Sequence, residues 1–369
     1  MKHRFEVLDI FRGLFAAFVF LFHLYPFAEH SIVSNNFAQN SDMFVDFFFV
    51  LSGFVMAYRY QDIANSSELK LFLIKRIYRI YPMHLLMLIL FAVVELGKQV
   101  LNPYIKVNNL DNPANTVTSF ISSLLLLNST PVPGVNAVSW NIVSWSISAE
   151  LIAYLVFGLM VLYIYKSGMY RQKNIFYLIL VFISLTALFL LSFTFRIDYS
   201  FDYGFLRGIL GFFSGVVCFN LFSKSNESVQ QYSSLLFSVA EVTTLAIISL
   251  CIYNGEFMKP WGAFFDVLFF VCIYTFSFEK GIVSNGLKRV SLFQKLGQYS
   301  YSIYMTHALL ISLFNILFIR ILKFPTSSYS YLFILNFAVI YFVSSWTYRN
   351  VEMRFQYKSP KRKISKVPV

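Results

Sequence analysis

The chain has 369 residues, of which 57% are hydrophobic, 20% aromatic and only 13% charged, with a mean hydropathy of +0.63. A water-soluble domain of this size has no use for so much apolar surface, so these proportions exclude one and specify an integral membrane protein. The formal net charge of +12 does not point to nucleic acid, because the cations sit between apolar runs, where orientation signals and contacts with anionic lipid account for them.

About twenty apolar residues cross a bilayer core. On that measure the sequence predicts an all-α polytopic bundle of about ten spans, near 5–27, 43–60, 78–97, 144–165, 174–195, 203–222, 233–253, 261–279, 298–319 and 328–348. The first run is long enough to span and has no small-residue cleavage site, so it is expected to serve as an uncleaved anchor. The stretch 117–127 is too short to cross and reads as an interfacial or re-entrant piece. The gap 98–143 otherwise holds a Pro/Asn-rich loop, so one transmembrane domain over 1–350 is expected, followed by a basic cytoplasmic tail over 351–369. Cys218, Cys251 and Cys272 lie in or beside apolar runs and read as small buried hydrophobes, with no disulfide framework. With an even number of crossings and the N-terminus inside, the inner loops carry roughly three times as many Lys and Arg as the outer ones, the bias of a correct topology. Both termini are therefore expected in the cytoplasm of a cell whose inner (plasma) membrane holds the chain.

In the first span, VLDIFRGLFAAFVFLFHLYPF, Arg12 and His23 lie where ionisable groups cost at least a few kcal/mol and are kept for a task. Eleven residues at roughly 100° each return the two side chains to within about 20° of one face, some 16 Å apart along the axis. Asp9 sits one turn before the arginine. Taken in chain order, Asp46 falls in the outer part of the second span and Ser52-Gly53 near its middle. Arg76 and Arg79 fall at the inner mouth of the third, Trp145, Ser146 and Glu150 in the outer half of the fourth, and His307 near mid-depth in the ninth. Arginines thus gather towards the cytoplasm, and His23, Asp46 and Glu150 towards the far side.

That partition suits a reaction whose donor is anionic and cytoplasmic. The guanidinium fork bonds two phosphate oxygens at once and keeps its charge, so Arg12, Arg76 and Arg79 are the expected donor-binding cations. A coenzyme A thioester anchored there would extend its pantetheine arm into the bundle. His23 is the expected base for an attacking sugar hydroxyl, with Asp46 or Glu150 as the carboxylate that orients the imidazole. Trp145, Ser146, Ser52 and His307 are candidates for substrate contact. Plainer readings exist for each. Arg12 could snorkel and His23 mark the interface. Arg76 and Arg79 could be topology signals alone. Asp46 could cap its helix, Ser52-Gly53 could let two helices approach, Trp145 could belong to the aromatic belt, and His307 could be a satisfied core histidine. His3, His30 and His84 carry no signal, and no spacing suggests a metal.

The motifs LDIFRG with ten residues between its arginine and His23, DFFFVLSGFV, KRIYRIYP, SWSISAE and LGQYSYSIYMTH resemble, in order, the signatures of the membrane acyltransferase-3 family. They run from Leu8 to His307. The resemblance implies a ten-helix membrane enzyme that moves an acyl group, usually acetyl, from cytoplasmic acyl-CoA to a carbohydrate such as O-antigen, exopolysaccharide, capsule or peptidoglycan. It places the family's arginine and histidine on Arg12 and His23, its pore acid on Asp46, and its serine-glycine on Ser52-Gly53. The basic pair falls on Arg76 and Arg79, and the Trp-Ser and glutamate pattern on Trp145, Ser146 and Glu150. The C-terminal VEMRF lacks the proline common in the family, so the likeness at Glu352 is weak. Acetyl-CoA as co-substrate, a lipid-linked or cell-surface glycan as acceptor, and separate glycan-assembly enzymes as partners follow as expectations. The rival class is a transporter of sugars or lipid-linked oligosaccharide. Such proteins usually show internal repeats; none is evident here, and the charged motifs crowd into the first 150 residues.

Overall fold

The computed structural model describes residues 4–102 and 112–357. The first residues, part of the loop after the third span, and the basic tail from 358 onward lie outside the described residues, His3 and Lys106 among them. Ten helices form the bundle: α1 (Glu6–Leu24), α2 (Phe44–Arg59), α3 (Ser66–Leu101), α4 (Trp145–Ser167), α5 (Lys173–Ser192), α6 (Gly204–Val229), α7 (Ser234–Tyr253), α8 (Ala263–Phe276), α9 (Ser291–Asn315) and α10 (Tyr329–Thr347). Each matches one of the expected spans, with two differences of form.

The first concerns α3. It starts well before the apolar run, because Asn65 accepts from the Glu68 backbone N–H and caps a charged extension. At 36 residues it is roughly 54 Å long, longer than any bilayer core, and Arg76 and Arg79 ride on its extension side. The second is α8, whose 14 residues rise only about 21 Å. A short segment, Gly255–Trp261, precedes it at a bend of 100°. The bend falls at Gly262, just after a short 3-10 turn, Lys259–Trp261, that contains Pro260. The expected span 261–279 is thus part of a bent pair of helices, the form of a broken span or a re-entrant loop. The short stretch after α3 forms the non-spanning helix Val117–Leu124, opened by a capping box between Thr116 and Ser119.

In lipid, apolar burial does not drive helices together; close packing and polar bonds do. Two backbone-to-backbone contacts organise the centre. A Cβ on Gly53 of α2 would lie 1.7 Å from the Phe212 carbonyl oxygen of α6, and one on Gly215 of α6 would lie 1.8 Å from the Val50 oxygen of α2. In the same way, Gly13 of α1 faces Leu296 and Gly297 of α9 at 2.3–2.4 Å, and Gly297 faces the Asp9 oxygen. Gly53 is therefore the small residue that lets two helices touch. Gly53→Ala is expected to force α2 and α6 apart at a cost of about 2–3 kcal/mol, read as a lowered unfolding midpoint of the purified protein in detergent.

Phenylalanines fill the space the glycines open. Phe15 packs on Phe44 and Phe47 with ring centroids 4.4 and 4.6 Å apart, and Phe11 meets Phe276 edge-on at 4.6 Å. The α2 window is 78% buried and the α5 window only 17%, so α2 is central and α5 peripheral. Cys218 and Cys272 are buried and Cys251 half-buried, all three as free thiols. The N-terminus of α1 is fixed from the far end of the chain, where Glu279 accepts from the Val7 backbone N–H at 2.8 Å. Arg4 and Gln356 line one cavity, so both described chain ends lie at the same end of the bundle, as an even number of crossings requires.

Candidate active site

That cavity, about 290 Å³, opens at the end carrying the termini and runs between α1, α2, α3, α4 and α9. Among the described residues, five arginines line it: Arg4, Arg12, Arg59, Arg76 and Arg79. Arg12 donates to Asp9 at 3.2 Å and across to Ser300 of α9 at 3.1 Å, so the α1–α9 contact holds the guanidinium in the wall. Arg76 is 8% exposed. Its guanidinium carbon lies 5.6 Å from the Tyr60 ring centre and 5.9 Å from that of Tyr154, and it donates to the Tyr60 hydroxyl at 3.3 Å. Its Nε is buried without a hydrogen-bond partner. A buried cation with an unused donor is prepared for an anion. Arg79 follows one turn later on the same face. Glu352, 3% exposed and 3.3 Å from the Ser302 hydroxyl that donates to it, lines the same region.

Deeper in, Ser52 donates to Glu150 at 2.6 Å and shares a hydrogen bond with the Tyr154 hydroxyl at 3.0 Å. Tyr154, one turn beyond Glu150 on α4, also donates to that carboxylate. Ser52, Glu150 and Tyr154 thus form one polar cluster on the cavity wall. The lining also includes Val45, Phe48, Ser146 and Tyr304, with the Ser146 and Tyr304 hydroxyls 2.8 Å apart.

Behind Tyr304 stand the two histidines. The His307 ring centre lies 5.8 Å from that of Tyr304, and His307 Nε2 is 3.1 Å from His23 Nδ1. His23 Nδ1 is also 3.0 Å from the Val19 carbonyl oxygen, and His307 Nδ1 is 3.2 Å from the Ile303 carbonyl oxygen. One tautomer assignment satisfies all three contacts. Each Nδ1 carries the proton and donates to its own helix's carbonyl, and the one His23 Nδ1–H is shared, as a three-centre bond, between the Val19 carbonyl and His307 Nε2. His23 Nε2 is then left with its lone pair, which is what a base needs.

Several expected site residues stand elsewhere than the sequence suggested. Asp46 does not orient His23. Its two oxygens accept a fork from Arg207, at 2.7 Å from Nε and 2.8 Å from Nη2, with side-chain exposures of 0% and 4%. Nor does it cap α2, whose first turn has no side-chain cap. Glu150 is held by Ser52 and Tyr154, so the group beside His23 is the His307 imidazole rather than a carboxylate. Trp145 is no belt residue: its ring lies 5.3 Å from the Arg207 guanidinium, packed on Phe49 and Gly204. Asp46, Trp145, His23 and His307 are not among the residues lining the cavity, whereas Arg12, Ser52, Arg76, Arg79, Ser146 and Glu150 are.

The sequence reading missed Arg207, Tyr154 and Tyr304. Arg207 was detectable as an arginine inside a predicted span, the same signal that singled out Arg12. Tyr154 and Tyr304 were detectable as hydroxyls one turn from Glu150 and His307. His84 Nε2 lies 2.8 Å from the Ser123 carbonyl oxygen, and its buried Nδ1 has no hydrogen-bond partner.

A family model described as an acyltransferase domain matches residues 5–349. The chain belongs to the acyltransferase-3 family. It is a membrane acyltransferase with many apolar crossing helices, and the transporter reading is set aside. No curated protein and no solved structure matches the acyltransferase. The match covers both histidines and all of the cavity lining except Arg4, Glu352, Met353 and Gln356.

Proposed function

We propose that the protein transfers an acyl group, acetyl in the simplest case, from cytoplasmic acyl-CoA to a hydroxyl of an exported or cell-surface carbohydrate, in the inner membrane. The observation that supports this reading is the order of groups through the bundle. A five-arginine mouth comes first, then a hydroxyl and carboxylate wall, and beyond the cavity lining stands His23, eleven residues and about 16 Å of helix rise along α1 from Arg12. Arginine favours the phosphates of the donor, and an extended thioester arm then points towards the histidines.

In the transfer step, His23 Nε2 removes the proton as the sugar oxygen attacks the thioester carbonyl. The C–O bond forms and the carbonyl electrons move onto oxygen. Collapse of this intermediate breaks the C–S bond, and the departing thiolate takes the proton from the imidazolium. His307 holds the Nδ1–H side of the ring throughout. Tyr304 lines the cavity and His23 does not, so in this reading the Tyr304 side chain gives way for the carbonyl to reach the base. The acceptor approaches from the opposite end or from the lipid face. Glycan-assembly enzymes supply it, and anionic lipids surround the basic end.

Mass spectrometry of surface glycans with and without the gene tests the reaction class: an acetyl or other acyl mark lost on deletion and restored by the wild-type gene is expected, and unchanged glycans overturn the carbohydrate acceptor. The donor site has its own test. Arg76→Ala with Arg79→Ala is expected to weaken acyl-CoA binding by about 100-fold or more, since each charge-assisted contact contributes about 1.5–3 kcal/mol. Titration calorimetry with the purified protein measures it. Unchanged affinity would return both arginines to a role in topology alone.

A further inference from the structure

On the outer surface of the bundle, a second concavity of about 440 Å³ lies between α9 and α10, at the end that carries the chain termini. Lys295, in the second turn of α9, and Arg349, just past the end of α10, stand at its polar rim. Tyr341, Phe342 and Trp346 of α10 form its apolar side. Phe342 is 70% exposed and Trp346 60%, an aromatic surface at the level of a membrane interface. Among the described residues, no carboxylate lines the groove. Tyr299 and Ser345 line the groove beside Arg349 and add hydroxyls to its polar side. Two cations above an apolar aromatic wall match a ligand that is anionic at its head and hydrocarbon beneath.

We propose that this groove binds one anionic phospholipid, its phosphate held between Lys295 and Arg349 and its acyl chains lying along Phe342 and Trp346. The charge complementarity favours a phosphate over a second protein helix, which would leave both cations facing lipid. The transfer reaction plays no part in this assignment. The site does adjoin the donor mouth: the Tyr299 ring packs on Tyr348 at 5.2 Å, Gln298 donates to the Tyr348 hydroxyl at 3.2 Å, and Tyr348 and Gln298 line the five-arginine cavity. A bound lipid therefore buttresses the wall that positions the donor entrance.

Native mass spectrometry of the full-length protein, with phosphatidylglycerol or phosphatidylcholine added to the detergent, tests the proposal. One phosphatidylglycerol is expected to stay bound under conditions that strip phosphatidylcholine. Lys295→Gln with Arg349→Gln is expected to weaken it roughly 10- to 30-fold, at about 1 kcal/mol per cation. Lys166→Gln with Arg171→Gln, at the end of α4 and just beyond it, is expected to leave it unchanged. Arg349→Lys, which keeps the charge and the fold, is expected to retain the lipid. Equal retention of both lipids, an unaltered affinity in the Lys295/Arg349 variant, or competition by soluble glycerol phosphate at equal concentration would overturn the assignment. So would copy-to-copy crosslinks through Trp346→Cys, which would show a second chain covering the groove.

Discussion

Arg207→Met is expected to destabilise the protein by about 3–5 kcal/mol, because removing one member of a buried ion pair leaves the other charge uncompensated. Asp46 has no exposed surface, and both of its oxygens are occupied by the Arg207 fork. Its surroundings are already acidic. Asp266 of α8 is 4% exposed, and neither of its oxygens has a hydrogen-bond partner. Its Oδ1 lies where a Cβ on Gly211 would meet it at 2.9 Å, with the Asp46 backbone oxygen 3.7 Å from the same point. Arg207 is thus the cation that lets α2, α6 and α8 bring carboxylates together inside the bundle. The measurement is the unfolding midpoint in detergent for Arg207→Met, Asp46→Asn and the double variant. The double variant is expected to recover most of the loss, since removing both charges removes the desolvation problem with them. A wild-type midpoint for Arg207→Met alone would show that the pair contributes nothing to stability.

The same arginine marks the limit of what the sequence discloses. Apolar run length locates all ten helices, because a bilayer imposes a simple length requirement on each. Helix form is less legible. The capped, charged start of α3 has no apolar pattern, and the bend at Gly262 falls at the edge of the expected span 261–279, where run length says nothing of a change in direction. Within the site, motif spacing singles out Arg12, Ser52, Arg76, Arg79 and Glu150, and all of them reach one cavity. Pairing is another matter. Asp46 and Arg207 are 161 positions apart, and His23 and His307 are 284 apart. Single-helix periodicity describes faces and says nothing of which face meets which. The glycines supply part of that information: Gly13 with Gly297, and Gly53 with Gly215, fix the two contacts that bring each pair together. Tyr154 and Tyr304 went unremarked because tyrosine is common in this chain, and only the bonds to Glu150 and Ser146 separate these two from the rest.

His23→Ala is expected to lower acyl transfer by about 100- to 10,000-fold, the usual contribution of a positioned general base, while leaving membrane insertion and acyl-CoA binding intact. Insertion is preserved because the ring touches no glycine contact, and donor binding because the arginine mouth lies some 16 Å away. The sharper experiment concerns the second ring. His307 accepts from His23 Nδ1–H through Nε2 while its own Nδ1–H is committed to Ile303. His307→Leu removes that acceptor and is expected to reduce kcat by roughly tenfold to a hundredfold with KM for acyl-CoA unchanged, as loss of a hydrogen bond that orients a reactive imidazole does. Because the Val19 carbonyl still accepts from His23 Nδ1–H at 3.0 Å, the tautomer survives and the loss stops short of that for His23→Ala. His307→Gln restores an acceptor oxygen and is expected to recover part of the rate. The pH–rate profile separates positioning from packing: if His307 acts through His23, the alkaline plateau falls and the apparent pKa of the rate profile moves in the leucine variant. A packing defect would lower the rate at every pH alike. Near-wild-type transfer by His23→Ala would remove the imidazole from the chemistry. The Ser52–Glu150–Tyr154 cluster, which does face the cavity, would then be the group left to activate the acceptor.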